Sequence, residues 1–585
     1  MLDEHRVEGR FRPDSPAPGG ATTTPVWFGP PDRPLFGWFE VPSDGMARAG
    51  VVICPPLAVE GTSSQPALRV LSNRLSAEGC AVLRFDYAGT GDSSGDDGEP
   101  ARVAAWLGSI RAAVGFLAEA GCIHLAVVGL RLGATLAAAE LSSRGGVDAA
   151  VLWDPYPTGR MFVRQQGMLR RIIERGRISD DGSVEGPGIV MAPETVSDLR
   201  DLELSADGSV ADRLLVLTRV GRPLPPGMIP TLPDACVDRM EIEGQEALVD
   251  VEPVLAVVPE RTVGSIVDWL KEVIGASRTP VTVPEPSVAV VGRTPSGHVI
   301  RERPLSLGPN GLFGIETVPA RTGGSPPVLF LNAGVIDHVG PARTWVTLAR
   351  ALAARGFRTV RFDLSGVGAT PLRAGAVERS TRTLDGIQDV ADAQRAVAPD
   401  DPSGVVLVGL CSGGYHCSEA ALSTGARGVV MINPSFRIAG PKDAVASPET
   451  ATSALQRQVD EAPRSWVQRI PGRAALWELV RRAPDPLWTL INRLAITHPP
   501  ADTLRRLSDS GTDVLVVCDD YDAWVLQRGA RRALGRSRRP GRVRIEVVEG
   551  IDHTLFGREG RDKALELVVD HVVSAFPPHR AEPPS

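Results

Sequence analysis

The sequence predicts an α/β protein built from two tandem copies of one domain, each a mostly parallel sheet flanked by helices and interrupted by a helical insertion. Short apolar segments alternate with amphipathic stretches in both halves, which is typical of parallel strands joined by helices. Residues 35–42 (LFGWFEVP) and 312–319 (LFGIETVP) begin 277 residues apart, as do the Arg-Phe-Asp segments at Arg84 and Arg361. A constant offset in the same order indicates an internal repeat, and a period this long means whole domains.

The composition is that of a globular protein. The chain has 585 residues, too many for one ordinary core, with 43% hydrophobic and 23% charged residues. A net charge of −7 gives no electrostatic signature of nucleic-acid binding. The 7 cysteines show neither a CxxC pair nor metal-ligand spacing. Because neither a signal-peptide core nor a membrane-spanning apolar run is found, we expect a cytoplasmic protein without a membrane span.

Local composition suggests the domain boundaries. Residues 1–22 are polar and rich in Pro and Gly, and we expect them and the tail 577–585 to be disordered. The first domain is then 23–276 and the second 288–576. Between them, the Pro-rich stretch 277–287 is predicted to be an extended linker, because its prolines are incompatible with a helix.

A long insertion interrupts the second domain over about residues 434–510 and carries Trp466 in helical surroundings. One interpretation is a helical satellite packed on a core of its own. The other is a cap that forms an apolar acyl pocket over the sheet edge and excludes water. In the second interpretation Trp466 is a substrate-binding residue.

Residues 405–414 (VVLVGLCSGG) carry the central motif. An apolar strand that runs into Gly-x-Cys-x-Gly is the sequence form of a nucleophile elbow, a turn so tight that the residues flanking the nucleophile must be small. Cys411 is the predicted nucleophile. The alternatives are a buried structural cysteine at a strand end, or Ser412 as the nucleophile, a poorer register because bulky Leu410 would then flank the turn.

A base and an acid follow in the order expected of a catalytic triad. His553 lies near the end of the chain, after a strand and before a helix-like segment, where a triad histidine is expected. The acidic turn after the strand that begins at Asp513 supplies the acid. We predict that Asp522 orients His553, with Asp519 as the alternative.

Backbone donors for an oxyanion are expected at two places. Gly334 and Val335 follow the first long buried strand of the second domain, where small residues let an N–H group approach a ligand. The other donor is the N–H group of Ser412 at the start of the elbow helix, and this helix end also favours a thiolate at Cys411. In the loop that contains Gly334, His338 is a candidate substrate-binding residue.

The first half lacks this chemistry. When the two copies are aligned, the nucleophile, acid and base become Arg131, Arg222 and Ala247. We therefore expect a degenerate copy that serves as a structural partner. Alternatively, Arg131 binds the carboxylate or phosphate of an anionic substrate. A third possibility is an internal salt bridge of Arg131 with Asp86 or Asp154.

The order of oxyanion strand, elbow, acidic turn and late histidine resembles the α/β-hydrolase superfamily. The second half, with LNAG at 331–334 and GLCSG at 409–413, is similar to bacterial members found near polysaccharide and natural-product gene sets. The first half, with RFDYAGTGD at 84–92 and GLRLG at 129–133, resembles a degenerate sister copy. A cysteine at the elbow resembles dienelactone hydrolases and the Cys-dependent aminoacyl transferases that act between carrier proteins.

The resemblance implies an acyl-transfer enzyme, either an acyltransferase or a thioesterase or esterase, in which Cys411 forms a covalent intermediate on a thioester or ester. The substrate would be a small acyl compound, free or bound to an acyl or peptidyl carrier protein. Neither a metal nor an organic cofactor is implied. The alternative from another class is a non-catalytic binding or scaffold protein in which Cys411 is a relic.

Overall fold

A computed structural model describes residues 21–173, 182–204, 210–225, 236–285, 288–294, 296–319, 324–373, 383–434, 500–519, 526 and 542–577. Within these residues the chain forms two large sheets, one in each half. Residues 1–20, the tail from 578 and most of the predicted insertion, residues 435–499, lie outside the described residues.

The strands of the first domain and of the linker are β1 (Thr22–Phe28), β2 (Leu35–Val41), β3 (Met46–Ala47), β4 (Ala49–Cys54), β5 (Cys80–Phe85), β6 (Leu125–Leu130), β7 (Ala149–Trp153), β8 (Val184–Gly186), β9 (Ile189–Met191), β10 (Arg213–Arg219), β11 (Val237–Ile242) and β12 (Thr279–Pro280). The helices are α1 (Val59–Ala77), α2 (Arg102–Glu119), α3 (Leu132–Arg144), α4 (Gly159–Ile173), α5 (Pro193–Asp201), α6 (Glu246–Val249) and α7 (Glu260–Val273).

The second domain contains the strands β13 (Ala289–Arg293), β14 (Val299–Leu307), β15 (Leu312–Val318), β16 (Val328–Leu331), β17 (Thr359–Phe362), β18 (Val406–Leu410), β19 (Gly428–Ile432), β20 (Asp513–Cys518) and β21 (Val543–Val547). Its helices are α8 (Thr344–Ala353), α9 (Leu384–Val397), α10 (Ser412–Thr424), α11 (Pro500–Ser510) and α12 (Arg558–Ala575). None of the described helices in either domain combines the length and apolar character needed to cross a bilayer.

The two sheets have the same strand order. The first runs β1-β2-β5-β4-β6-β7-β10-β11, and the second runs β14-β15-β17-β16-β18-β19-β20-β21 with β13 added at the edge. In each, one antiparallel strand joins a set of parallel strands whose inner members are apolar on both faces. The predicted fold class of two tandem, mostly parallel sheets flanked by helices is confirmed.

Helices cover both faces of each sheet, because strands apolar on both sides must be buried on both sides. In the first domain, α1 and α7 pack on one face and α2 and α3 on the other. In the second domain, α8 and α12 pack on one face, opposite α9, α10 and α11. The carboxyl ends of the parallel strands are therefore left as the edge at which loops can build a site.

Three predicted boundaries differ from the structure. At the N-terminal boundary, Thr22 was predicted to be disordered but pairs with Val41 in the first sheet. In the linker, Thr279 pairs with Ala47, so this part of it is held against the first domain. At the end of the predicted insertion, α11 packs Leu504 into the sheet core and so belongs to the α/β domain itself.

The domains meet where the loop after β5 contacts the second domain. This β5 loop (residues 86–97) presents backbone carbonyl groups to Arg343, whose guanidinium donates to Gly91 O at 2.7 Å and to Gly95 O at 2.5 Å. Nearby, the rings of Trp38 and Phe313 lie edge to face with centroids 4.6 Å apart. Apolar packing and charge-assisted hydrogen bonds thus join the two copies.

Arg343→Met should weaken the domain contact, because backbone carbonyl groups of the β5 loop lose their charged donor. We expect a loss of about 2–4 kcal/mol in unfolding free energy, measured by thermal unfolding of the full chain. Arg355→Met is the matched control, since Arg355 is exposed and donates to Ala351 O within its own domain. Equal unfolding temperatures for the two variants would contradict the assigned contact.

Candidate active site

Cys411 lies in a sharp turn between β18 and α10. Its backbone has φ 53° and ψ −113°, a region that residues other than glycine rarely adopt. The turn is fixed because the Cys411 N–H group donates to Ile432 O at 3.0 Å. The Cys411 side chain is half-buried at the carboxyl end of the strand. The strand, strained turn and helix have the geometry of a nucleophile elbow.

Glycines permit this turn. A Cβ atom on Gly409 would lie 2.3 Å from the carbonyl carbon of Gly413, and one on Gly413 would lie 2.6 Å from the carbonyl oxygen of Asn332. Neither neighbour can move, because both are backbone atoms of packed elements. The Gly-x-Cys-x-Gly spacing is therefore a steric requirement of the elbow.

The same turn exists in the first domain with another side chain. Arg131 has φ 55° and ψ −123°, and its N–H group donates to Trp153 O at 2.9 Å. The backbone of the elbow is thus conserved between the two copies, whereas the thiol is replaced by a guanidinium. The two aligned triad positions differ as well: Arg222 is exposed after β10, and Ala247 lies in α6.

The segment 332–339, here called the oxyanion loop, docks on the elbow. Gly334 has φ 62°, and its N–H group donates to the Ser412 hydroxyl at 2.9 Å. Ser412 is buried at the start of α10, while Val335 is half-buried. The predicted oxyanion residues therefore lie beside the elbow that carries Cys411. Because the Ser412 hydroxyl is buried and accepts this hydrogen bond, the geometry favours Cys411 over Ser412 as the nucleophile.

His553 lies in an exposed loop between β21 and α12. The loop is rigid because Asp552 accepts hydrogen bonds from Thr554 N at 3.0 Å and Gly557 N at 2.7 Å. Asn433, directly after β19, donates to the carbonyl oxygens of Asp552 at 3.0 Å and His553 at 3.3 Å. Since β19 is the neighbour of the elbow strand, Asn433 holds the histidine loop at the edge that carries Cys411.

Asn433, which holds the histidine loop, was not among the predicted site residues. Its position at the end of a buried strand is the signal that points to it, and its φ of 41° marks the special turn there. Of the two candidate acids, Asp519 is half-buried directly after β20. Asp522 and Trp466 lie outside the described residues, so their assignments stay predictions.

His338 is not placed to bind substrate, and that prediction is corrected. Its side chain is only 4% exposed, with Nδ1 2.9 Å from Asp363 Oδ2 and Nε2 2.8 Å from Asp92 Oδ2. Both ring nitrogens are therefore used within the protein. Burial alone would lower the pKa of His338, but the carboxylates of Asp363 and Asp92 raise it well above its usual value. His338 is a charged bridge between the two domains.

Further charges complete this bridge. Asp92 also forms an ion pair with Arg361, and Arg361 binds Glu302 at 3.1 Å. We call Asp92, Glu302, His338, Arg361 and Asp363 the interdomain cluster. Burial would raise the pKa of Asp92, but His338 and Arg361 hold it well below its usual range. The cluster is thus a set of buried charges that compensate one another.

Arg131 forms an internal salt bridge, which was one of its three predicted roles. Its guanidinium lies 3.2 Å from Glu60 and 3.1 Å from Asp154, and it stacks 3.9 Å above the ring of Tyr156. Asp86, the other predicted partner, instead accepts a hydrogen bond from the backbone N–H group of Asp92. Because Arg131 is 7% exposed and faces two carboxylates, the geometry does not favour its binding an anionic substrate.

A cleft of about 2650 Å³ lies between the two domains. Its wall includes Val335 and Ile336 of the oxyanion loop, and Phe556 from the loop of His553. Cys411 is not part of that wall. The cleft therefore runs along the oxyanion loop and beside the loop of His553, on the side that faces the first domain.

Gly409→Ala should disrupt the elbow, because the added methyl group would meet packed backbone. We expect a loss of roughly 3 kcal/mol in unfolding free energy, measured by thermal unfolding. Gly264→Ala in α7 is the control, since no atom lies within 4 Å of a Cβ there and alanine favours the helix by about 1 kcal/mol. If Gly409→Ala unfolded at a temperature as high as that of Gly264→Ala, the close packing around Gly409 would be contradicted.

Asp86→Asn should change how stability depends on pH. Burial and the neighbouring charge of Asp92 raise the pKa of Asp86 from 3.8 to about 7. Between these values the folded chain keeps a proton that the unfolded chain releases, so this group lowers stability as the pH rises. Removing it should therefore raise the unfolding temperature more at pH 8 than at pH 5.

Asp44→Asn is the control for this experiment. Asp44 is exposed, and the hydrogen bond from Arg278 lowers its pKa, so its removal should bring no gain at high pH. If Asp86→Asn raised the unfolding temperature equally at both pH values, the pKa of the Asp86 carboxyl group would not be raised in the folded chain.

Comparison with known proteins agrees with the fold. Residues 328–566 match the model of the "Alpha/beta hydrolase family". No curated protein sequence matches the chain. Similar solved structures include the thioesterase domain from the curacin biosynthetic pathway, which is 15% identical with a TM-score of 0.27 and aligns over 47% of this chain and 99% of its own.

Two further similar structures are an esterase of Pyrococcus furiosus and a bacterial membrane phospholipase A. The esterase is 15% identical with a TM-score of 0.30, over 45% of this chain and 96% of its own. The phospholipase is 14% identical with a TM-score of 0.29, over 47% of this chain and 86% of its own. At these values the likenesses carry no argument about activity. The family match and the strand order together show that the second domain of this chain belongs to the alpha/beta hydrolase family, and that the first domain repeats its sheet.

Proposed function

We propose that the second domain is an acyl-transfer enzyme that forms a covalent acyl intermediate on Cys411. The observation that supports this most strongly is the strained turn that presents the Cys411 thiol, half-buried, at the start of α10. The N-terminus of a helix stabilises a nearby negative charge, so it favours the reactive thiolate form. Strain of this kind persists only where the surrounding structure enforces it, and it concentrates at functional sites.

In the proposed reaction, His553 takes the proton of the Cys411 thiol, and the sulfur attacks the carbonyl carbon of a thioester or ester. A carbon–sulfur bond forms, and the carbonyl oxygen takes the negative charge, which the Ser412 N–H group and the oxyanion loop stabilise. Collapse of this intermediate breaks the bond to the leaving group, which receives a proton from His553. Water, a thiol or an amine then attacks the acyl group while His553 takes its proton, and the thiol of Cys411 is restored.

The remaining roles follow from this reaction. We propose that Asp522, or Asp519 in its place, orients His553 and stabilises its charged form. The acyl substrate is free or bound to a carrier protein, and the cleft between the domains offers it an approach along Val335. The first domain performs no covalent step, since a guanidinium replaces the thiol at its elbow.

Incubation with an acyl N-acetylcysteamine thioester, followed by intact-protein and peptide mass spectrometry, tests the proposal. We expect an adduct with the mass of the acyl group on the peptide that contains Cys411. Cys411→Ala should abolish the adduct and lower turnover by about 10³-fold or more. Cys236→Ala is the matched control, since Cys236 is also a half-buried thiol but lies in the first domain.

A folded protein that forms no adduct with a range of acyl thioesters and esters would contradict the enzyme proposal and favour a non-catalytic binding protein. Where the adduct forms, its decay with and without an added thiol or amine distinguishes transfer from hydrolysis. A decay that an acceptor accelerates, with the acylated acceptor as product, identifies an acyltransferase.

A further inference from the structure

A carboxylate of the first domain, that of Asp92, contacts a residue of the second domain's oxyanion loop. Asp92 Oδ2 lies 2.8 Å from His338 Nε2, and both side chains are at least 96% buried. The two residues are 246 positions apart, so the contact depends entirely on how the two domains pack. His338 belongs to the oxyanion loop, which is docked on the elbow helix by the hydrogen bond from the Gly334 N–H group to the Ser412 hydroxyl.

The contact is transmitted to the loop through Asp363. The Oδ1 atom of Asp363 accepts hydrogen bonds from the backbone N–H group of His338 at 2.6 Å and from the side-chain amide of Asn332 at 3.1 Å. The Oδ2 atom of Asp363 lies 2.9 Å from His338 Nδ1. Asn332 also donates to Ile336 O at 2.9 Å, closing the loop on itself. Both ends of the oxyanion loop therefore depend on one carboxylate and on the charged histidine beside it.

Asp92 itself is held firmly. Its backbone carbonyl group accepts a hydrogen bond from Arg350 at 2.6 Å, and its side chain pairs with Arg361. Arg350 is anchored in turn by Glu302 at 2.8 Å. The second domain thus binds both the backbone and the side chain of Asp92 in the β5 loop, and these contacts hold the carboxylate beside His338.

Comparison of the two copies shows that only the first domain has a carboxylate at this position. The N–H group of Asp92 donates to Asp86 at 2.9 Å, and in the second domain the N–H group of Ala369 donates to Asp363 at 3.0 Å. The two positions are therefore equivalent, and the second domain has no side-chain carboxylate there. The first domain supplies the group that its partner lacks.

We infer that Asp92 is a positioning residue for the reaction of the second domain, holding the oxyanion loop through His338. This inference rests on the proposed function. Without the Asp92 charge, the hydrogen bond of His338 Nε2 is no longer charge-assisted, and the hold on the His338 ring weakens. A donor displaced by a fraction of an ångström stabilises the developing oxyanion less, and such misplacement lowers rates by up to about 100-fold.

Two reactions of Cys411 in the full chain test the inference. Acylation by an N-acetylcysteamine thioester develops an oxyanion, whereas alkylation by iodoacetamide is a displacement at a CH₂ group that places no charge in the oxyanion site. We expect Asp92→Asn to slow acylation about 10- to 100-fold, in kcat with little change in KM, and to leave the alkylation rate of Cys411 unchanged. Asp148→Asn is the matched control, since Asp148 pairs with His124 inside the first domain.

Each outcome decides the question. Equal rates for Asp92→Asn and the unmodified chain, or an equal loss in both reactions, would overturn the inference and leave the proposed function intact. If Asp92→Asn folds poorly, His338→Gln breaks the same link from the other side and should show the same selective loss; a loss in both of its reactions, or in neither, would overturn the inference. No acylation of the unmodified chain would overturn the proposed function and, with it, this inference.

Discussion

The structure depends on a charged histidine held between carboxylates of two domains. His338 is buried, and burying its charge is unfavourable unless opposite charges and hydrogen bonds compensate for it. Asp363 supplies one carboxylate from the second domain, and Asp92 supplies the other from the first. The oxyanion loop is built around this histidine, so the geometry of the site in one domain depends on a side chain of its neighbour. A tandem repeat thereby becomes a single functional unit.

The first domain has the same sharp turn as the second, with an arginine in place of the cysteine. Its elbow at Arg131 has nearly the same strained backbone as the elbow at Cys411. The ion pairs of Arg131 with Glu60 and Asp154 compensate the charge of its buried guanidinium. What the first domain contributes instead is its β5 loop, which provides Asp92 and the carbonyl groups that Arg343 binds.

The two sheets and the elbow could be predicted from the sequence, because they depend on local patterns of residues. The apolar runs and the constant offset between the halves predicted two similar sheets. The glycine spacing predicted the elbow, since Gly409 avoids a clash with Gly413 in the same short segment. Long-range ion pairs leave no such pattern. Glu60 lies 71 residues from Arg131, and Asp92 lies 246 residues from His338. His338 was therefore predicted to bind substrate, because a histidine near an oxyanion loop looks the same in a sequence whether it faces a ligand or a neighbouring domain.

The central claim is that Cys411 carries an acyl group whose carbonyl oxygen is held by donors that the first domain helps to position. The most direct measurement is the isotope-edited infrared spectrum of the chain acylated with a [1-¹³C]acyl thioester donor. We expect a carbonyl band on Cys411 at lower frequency than in the unfolded acylated chain, because hydrogen bonds to the oxygen weaken the C=O bond. A band at the same frequency in the folded and unfolded chains would contradict this claim.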